Sequence, residues 1–522
     1  MSKLLFGPSG HRLAVAGLFA AFLAVGLGIY RDYGISWDEE FQRNDCGQIN
    51  YDFIRTLDAR ALLNGNEKYH GAAFEVLLVA LEHGLHLTDS RDIFLMRHLV
   101  TFLTFFVAVC FFYLLLRVRF GDWKIATCGT LFLILSPRIF ADAFYNSKDI
   151  PFLSLYVISL YTLVAFRRRM GFRTAFVHAL ASGLLVAVRI PGLVIPAITF
   201  FLAVVDQKLA PQPDGPEAVR TRWPLLYAGM FIVFTVMFWP VLWLNPPKHF
   251  FHAFEEMRAY HFGGNVLYLG QLLSAASLPW HYVPVWLSVT TPPLYTLLFA
   301  TGLGRLAVDA VRSPREFWAR PADVPVLLGL VLPLVSIIGL HSVVYDGWRH
   351  VFFIYPPFLF VATVGLSTAV GAARRLNDRL PGTRPALLAV ITASLIAIAY
   401  SMVRDHPYQN VYFNRLAGPD LEVARHRFDA DYWGLSYRRG LEYVLAHDDA
   451  PEILIRSENY PGPLNAQILP IGQRNRLRFT YRAGKEAYFL TNFRGNYDYE
   501  TPREVFAVTV DGGKILLVEK RN

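Results

Sequence analysis

A chain of 522 residues that is 54% hydrophobic, 15% aromatic and only 17% charged carries too many apolar groups for a soluble protein of ordinary composition. They are gathered into blocks of about 17 to 25 residues, the length that crosses the hydrocarbon core of a bilayer. The net charge of +9 would suggest nucleic acid in a soluble chain, but here the basic residues cluster between apolar blocks, which points to membrane topology and excludes a nucleic-acid partner. Three cysteines, Cys46, Cys110 and Cys128, exclude a disulfide framework and a Cys-rich metal site.

The first apolar run, 13–30, lacks a small-residue cleavage site and reads as a retained anchor. The pattern predicts eleven spans: 12–30, 93–116, 125–141, 150–166, 174–188, 190–205, 224–244, 283–304, 323–341, 350–370 and 385–402. Every second connection is rich in Arg and Lys, for example Arg167, Arg168, Arg169 and Arg173, or Arg374, Arg375, Arg379 and Arg384. Those connections are expected in the cytoplasm, which puts the N-terminus inside and the C-terminus outside. The predicted architecture is an all-α polytopic membrane domain, 1–403, with large outward loops at 31–92 and 245–282. A small α+β domain follows at 404–522.

Within the first outward loop, 72–87 is amphipathic and suits a helix lying on the membrane surface, with His83 and His86 interleaved. In the tail, strand-like runs occur at 452–456, 476–481, 487–492, 505–510 and 514–519. The last two flank Asp511-Gly512-Gly513, a short hairpin turn.

Ionisable residues crowd the outward ends of the spans and leave the span centres nearly bare, whereas a pump or transporter is expected to carry them near the midplane. Directly after the first span comes Gly34-Ile35-Ser36-Trp37-Asp38-Glu39-Glu40. Between spans three and four comes Asp142-Ala143-Phe144-Tyr145-Asn146-Ser147-Lys148-Asp149-Ile150-Pro151, whose two aspartates share a face if the segment is helical. One carboxylate could take a proton from a hydroxyl while another holds the acceptor or the sugar. The plainer reading is that these acids end or cap helices.

Cations lie at the same depth. Arg189 occupies a very short turn between two spans, Arg349 and His350 open span ten, and Lys148 adjoins Asp149. Such groups suit a phosphate, with interfacial snorkelling or an ion pair such as Arg349 with Asp346 as the alternative. The outward loop 255–271 combines His261, Asn265 and Tyr268 with Gly263 and Gly264, a composition that suits either a loop ordering over substrate or a plain interfacial turn. Asp429 and Asp431 form a weak metal motif, and no metal is assigned to them. Tyr432, Trp433 and Tyr437 are expected to dock the tail on the membrane domain.

The order and loop placement of the two acidic motifs resemble the GT-C glycosyltransferases, especially the branch of protein O-mannosyltransferases and lipid A aminoarabinose transferases. Further stretches carry the resemblance to the tail: 278–284 with Thr290-Thr291-Pro292-Pro293, then Tyr345-Asp346-Gly347-Trp348-Arg349-His350, then 406–414 and 429–434. The resemblance implies transfer of a sugar from a polyprenyl monophosphate donor to a hydroxyl acceptor on protein, lipid or glycan, with inversion and without a cofactor. Asp38 would be the base or acceptor-binding residue, with Glu39 adjacent. Asp142 and Asp149 would hold acceptor or sugar, and Arg189, Arg349, His350 and Lys148 the phosphate. Lys68 stands near the place of a first-loop lysine of the aminoarabinose transferases, but without the Lys-Pro-Pro pattern around it. A bacterial cytoplasmic membrane is the expected location. The alternatives are a lipid-linked sugar transporter or flippase without transfer chemistry, and a catalytically idle subunit whose tail recruits partners.

Overall fold

The computed structural model describes residues 9–209, 217–258, 262–494 and 503–521. Among them, six helices are long and apolar enough to cross a bilayer: His11–Ile29, Ser90–Phe120, Asp149–Arg168, Pro293–Arg312, Arg349–Asn377 and Thr383–Arg404. A seventh span is broken, Trp123–Ile134 and Pro137–Tyr145 meeting at 64°. Four shorter apolar helices, Phe172–Val188, Ile190–Asp206, Arg222–Phe238 and Asp323–Gly339, coincide with the remaining expected spans. The chain is a multi-pass membrane protein.

Prolines account for most departures from the expected boundaries. Span eight was expected over 283–304, but the chain forms a helix Tyr282–Thr290, breaks at Thr291-Pro292, and restarts at Pro293. Proline supplies no amide hydrogen and disfavours helix in the residue before it, so the break falls where the sequence puts the pair. At Ser136-Pro137 the freed backbone is satisfied from neighbouring helices, the Tyr295 hydroxyl donating to the Leu135 carbonyl at 3.0 Å. Close helix packing depends on glycine where Gly302 and Gly365 face each other. A Cβ on either would run into the opposite backbone, at Val361 or Leu298.

The expected amphipathic helix forms as Ala73–Gly84. It is a wall of the interior as much as a surface element: Phe74, Leu78 and Val79 are buried, and so are Glu75 and Glu82, paired with Arg97 and Arg43. The tail carries a five-stranded sheet in the order Leu477–Thr480, Ile453–Ser457, Tyr488–Thr491, Gly513–Lys520, Glu504–Val510. The first three strands are parallel and the last two pair antiparallel. Their hairpin turns at Asp511 and Gly512, both at positive φ (40° and 80°), the left-handed geometry that a two-residue turn requires.

The tail straps down the first loop. Asn465 accepts from the Ile35 amide (2.9 Å) and donates to the carbonyls of Ile35 (3.0 Å), Gly434 (3.1 Å) and Pro461 (2.8 Å). The Trp37 amide donates to the Trp433 carbonyl at 3.1 Å, and Arg438 donates to the carbonyls of Arg31 and Tyr33. A buried amide side chain with this many partners fixes one backbone path, because any other leaves polar groups unsatisfied. That path delivers Asp38 to the bundle.

Candidate active site

Four elements converge on one guanidinium. Arg349, 4% exposed at the head of its span, donates to Asp38 Oδ2 at 2.8 Å and to Asp346 Oδ2 at 3.3 Å, and lies 3.5 Å from Asp149 Oδ2. Its plane also sits over Trp433, 4.8 Å from the ring centroid. Asp149 is 1% exposed and holds a second cation, because Arg189 contacts its Oδ1. Asp346 in turn accepts from Arg494 of the tail at 2.8 Å, and Arg494 covers the Trp37 ring at 4.5 Å. A buried network of this kind holds together only when every member is paired.

The break between the two motif aspartates is built by Asn146. Its side-chain oxygen accepts from the Asp149 amide at 2.8 Å, and its Nδ2 donates to Asp142 Oδ1 at 2.9 Å and Asp149 Oδ2 at 3.1 Å. The expected continuous helix through the motif is therefore corrected: one helix ends at Tyr145, the next starts at Asp149, and the asparagine brings the two carboxylates together across the gap.

The carboxylates differ in what they face. Asp38 is 29% exposed. Burial raises its carboxyl, but Arg349, then Lys148 and Arg494, outweigh that and hold it below the ordinary carboxylate value, so it is an anion at neutral pH. Asp142 is sealed at 1% exposure, with neutral donors around it: Asn146, Tyr145 (3.2 Å) and Trp433 Nε1 (3.1 Å). Glu39 departs from the expectation of a catalytic neighbour to Asp38. It turns back to accept from the Ser36 amide at 2.7 Å and meets His98 Nε2 at 3.0 Å, 1% exposed. It braces the loop, because consecutive residues of a helical turn point in different directions.

Beside this network opens a cleft lined by the cations Lys148 and Arg189 and by His350, with Tyr345, His70 and Glu256 around them. Lys148 is half-buried, and its ammonium forms no ion pair among the described residues. His350 Nδ1 is buried and likewise has no hydrogen-bond partner among them. The arrangement can receive an anion at Lys148 and Arg189; Asp38 does not line the cleft itself and connects to Arg189 through Arg349 and Asp149.

The outward loop behaves differently from its expectation. Asn265–Tyr268 pairs with Gln271–Ser274 as a hairpin. Tyr268 is a hairpin anchor, 2% exposed, its hydroxyl on His281 Nδ1 at 2.6 Å and its ring against Tyr282 and Phe428. Asn265 is exposed and does not line the cleft. His261 lies outside the described residues. Phe262 instead stacks on Tyr345 at 3.9 Å and so reaches the cleft wall. Asp431 is saturated by Ser436, Leu435 and Asn410, a capping arrangement, while Asp429 accepts from the Leu267 amide at 3.2 Å. Trp433 docks the tail through Asp142, whereas Tyr437 bonds within the tail, to Asn492. Lys68 donates to the Leu63 carbonyl at 3.1 Å and is not part of the cleft wall.

No family model matches the chain, and no curated protein does. Solved structures do. The archaeal oligosaccharyltransferase AglB from Archaeoglobus fulgidus, in complex with an inhibitory peptide and a dolichol-phosphate, superposes with a TM-score of 0.51 at 12% identity, over 88% of this chain and 64% of that one. ArnT from Cupriavidus metallidurans, bound to undecaprenyl phosphate, gives 0.49 at 15% identity over 97% and 98%. Arabinofuranosyltransferase AftD from Mycobacteria gives 0.43 at 15%, over 85% of this chain and 29% of that one. At such identities the likeness is one of fold, the GT-C fold of membrane glycosyltransferases, and AglB carries it.

Proposed function

We propose that this chain is a membrane glycosyltransferase that moves a sugar from a polyprenyl monophosphate to a hydroxyl acceptor at the periplasmic face of a bacterial cytoplasmic membrane, with inversion. The observation that carries the reading is the placement of ionised, partly open Asp38 on Arg349 beside a cleft walled by Lys148, Arg189 and His350. ArnT and AglB were solved with lipid phosphates bound, which supports a donor of that class.

In this reading the acceptor hydroxyl hydrogen-bonds to Asp38 and attacks the anomeric carbon from the face opposite the phosphate. The new C–O bond forms as the bond to the phosphate oxygen breaks. The proton passes to Asp38, and the electron pair leaves on the lipid phosphate, which Lys148 and Arg189 receive. A carboxylate held below its ordinary value is a weak base at rest, so the proton moves late, as the attacking oxygen becomes acidic. Arg349 and Asp149 position these groups: one aspartate holds two guanidiniums, and one guanidinium orients the base. The outward placement of the site follows from the basic connections on the opposite side.

Proteoliposomes containing the purified chain and a polyprenyl-phosphate sugar provide the test, with glycan profiling of a deletion strain to identify the acceptor. Transfer requires both a glycosylated acceptor and free polyprenyl phosphate. Donor movement across the bilayer with no new glycosidic bond would overturn the reading.

A further inference from the structure

On the wall of the same cleft, but outside the carboxylate network, lies a cluster that the proposed transfer chemistry does not use. Cys46 sits in the π-helical turn Gln42–Gln48, 1% exposed. Glu67 and His70, three residues apart, come from the connection before the helix Ala73–Gly84, and His70 lines the cleft. One ligand atom from each of the three lies within 4.8 Å of the other two, and Glu67 Oε2 contacts His70 Nδ1 directly. Among the described residues this is the one group of three or more His, Cys, Asp or Glu side chains with that convergence.

We propose that Cys46, Glu67 and His70 form a zinc site. Sulfur, imidazole nitrogen and carboxylate oxygen together are the donor set of this borderline metal rather than of magnesium or calcium, which take oxygen alone. Ligand bonds of about 2.0 to 2.3 Å around a tetrahedral ion bring donor atoms to within about 4 Å of one another; the three donors here lie within 4.8 Å, and the direct Glu67–His70 contact would open to admit the ion. Three protein ligands leave a fourth position for water, on the side where His70 borders the cleft. The site would tie the π-helical turn, four residues beyond Asp38, to the loop that forms the cleft wall.

Burial pushes the Cys46 thiol up to about 12, so without metal it keeps its proton; zinc forms the S–metal bond as that proton leaves to solvent. The imidazole is neutral, because burial and then Lys148 and Arg189 hold it well below its ordinary value, and it binds without losing a proton. No redox change is involved.

The full-length protein, purified in detergent without chelators, should carry one zinc per chain by elemental analysis after equilibration with zinc and desalting. Exchange to cobalt(II) should give a thiolate-to-cobalt charge-transfer band. Cys46→Ser should abolish that band, and His70→Ala should reduce metal content at least tenfold at limiting zinc. Substoichiometric zinc in the wild type, or cobalt bound without a thiolate band, overturns the site and leaves Glu67 and His70 as a directly contacting carboxylate–imidazole pair. Both wild-type readouts decide the matter even where a variant fails to fold, and neither depends on glycosyl transfer.

Discussion

Asp38 and Asp142 are the same residue type at the same end of the bundle, yet one is partly open and paired with a cation while the other is sealed among neutral donors. Asp38 meets a guanidinium, keeps 29% of its side chain exposed and stays ionised. Asp142 meets an amide, a phenol and an indole, each a neutral donor, and has almost no exposed surface. Under the proposed transfer, access together with a charged partner, rather than position at this end of the bundle, would mark the reacting carboxylate. The strongest way to break the comparison is Asp38→Asn. Removing the base should lower kcat by about 10²- to 10⁴-fold with the protein still folded, read as sugar transferred per minute in proteoliposomes.

Next in size is Arg349→Gln. It leaves Asp149 and Asp346 short of a buried partner, a change of the kind that costs about 3 to 5 kcal/mol, and thermal unfolding in detergent should show it. It should also move the acidic limb of the rate profile upward, since burial, then opposed only by Lys148 and Arg494, raises Asp38 once its main opposing charge is gone. The sign for stability follows from the same shift. The folded value is depressed, so the ion pair contributes fully above the ordinary 3.8 and is lost as pH falls through the lower value. Lys148→Gln should act on the donor alone. Loss of one charge-assisted bond to phosphate, about 1.5 to 3 kcal/mol, predicts a donor KM raised about 10- to 100-fold, with little change in unfolding temperature. A loss in kcat as large as the rise in KM would mean that Lys148 acts chiefly on the charge departing with the phosphate rather than on donor binding.

Much of the fold was legible because hydropathy is a local property. Eleven apolar blocks, the five strand runs and the Asp511-Gly512 turn each announce themselves within a short window. Arg189 and Arg349 stood out for a related reason, since a cation at the edge of an apolar block needs an anion nearby. What failed depended on partners distant in the chain. Glu39 looked like a second acid beside Asp38, but His98, 59 residues on, claims it. Tyr268 looked like a loop residue, but Phe428 and Tyr282 draw it inward. Arg494 and Asn465 gave no signal, because their work is done on Asp346 and Ile35, which only the fold brings to them. The Cys46 cluster was invisible for the same reason, since Cys46 and the Glu67–His70 pair come from separate stretches that only the fold brings together.

The two smallest expected effects sharpen the contrast from opposite sides. Asn465→Ala removes a side chain that touches no part of the cleft, and about 1 to 3 kcal/mol of stability should go with its unsatisfied partners. Because Asn465 holds the backbone three residues before Asp38, kcat should fall while donor KM holds, and Asn465→Asp should not restore it, lacking the amide donor. Asp142→Asn is the mildest change. The amide oxygen still accepts from Asn146 and Trp433, and the new NH₂ group donates to the Tyr145 oxygen, which was a donor before. With shape and hydrogen bonds conserved and no direct ion pair lost, kcat should remain within about threefold of wild type. A loss as deep as that of Asp38→Asn would mean that the sealed carboxylate reaches substrate after all, through an opening of the Trp433 contact, and the division between the two aspartates would fall.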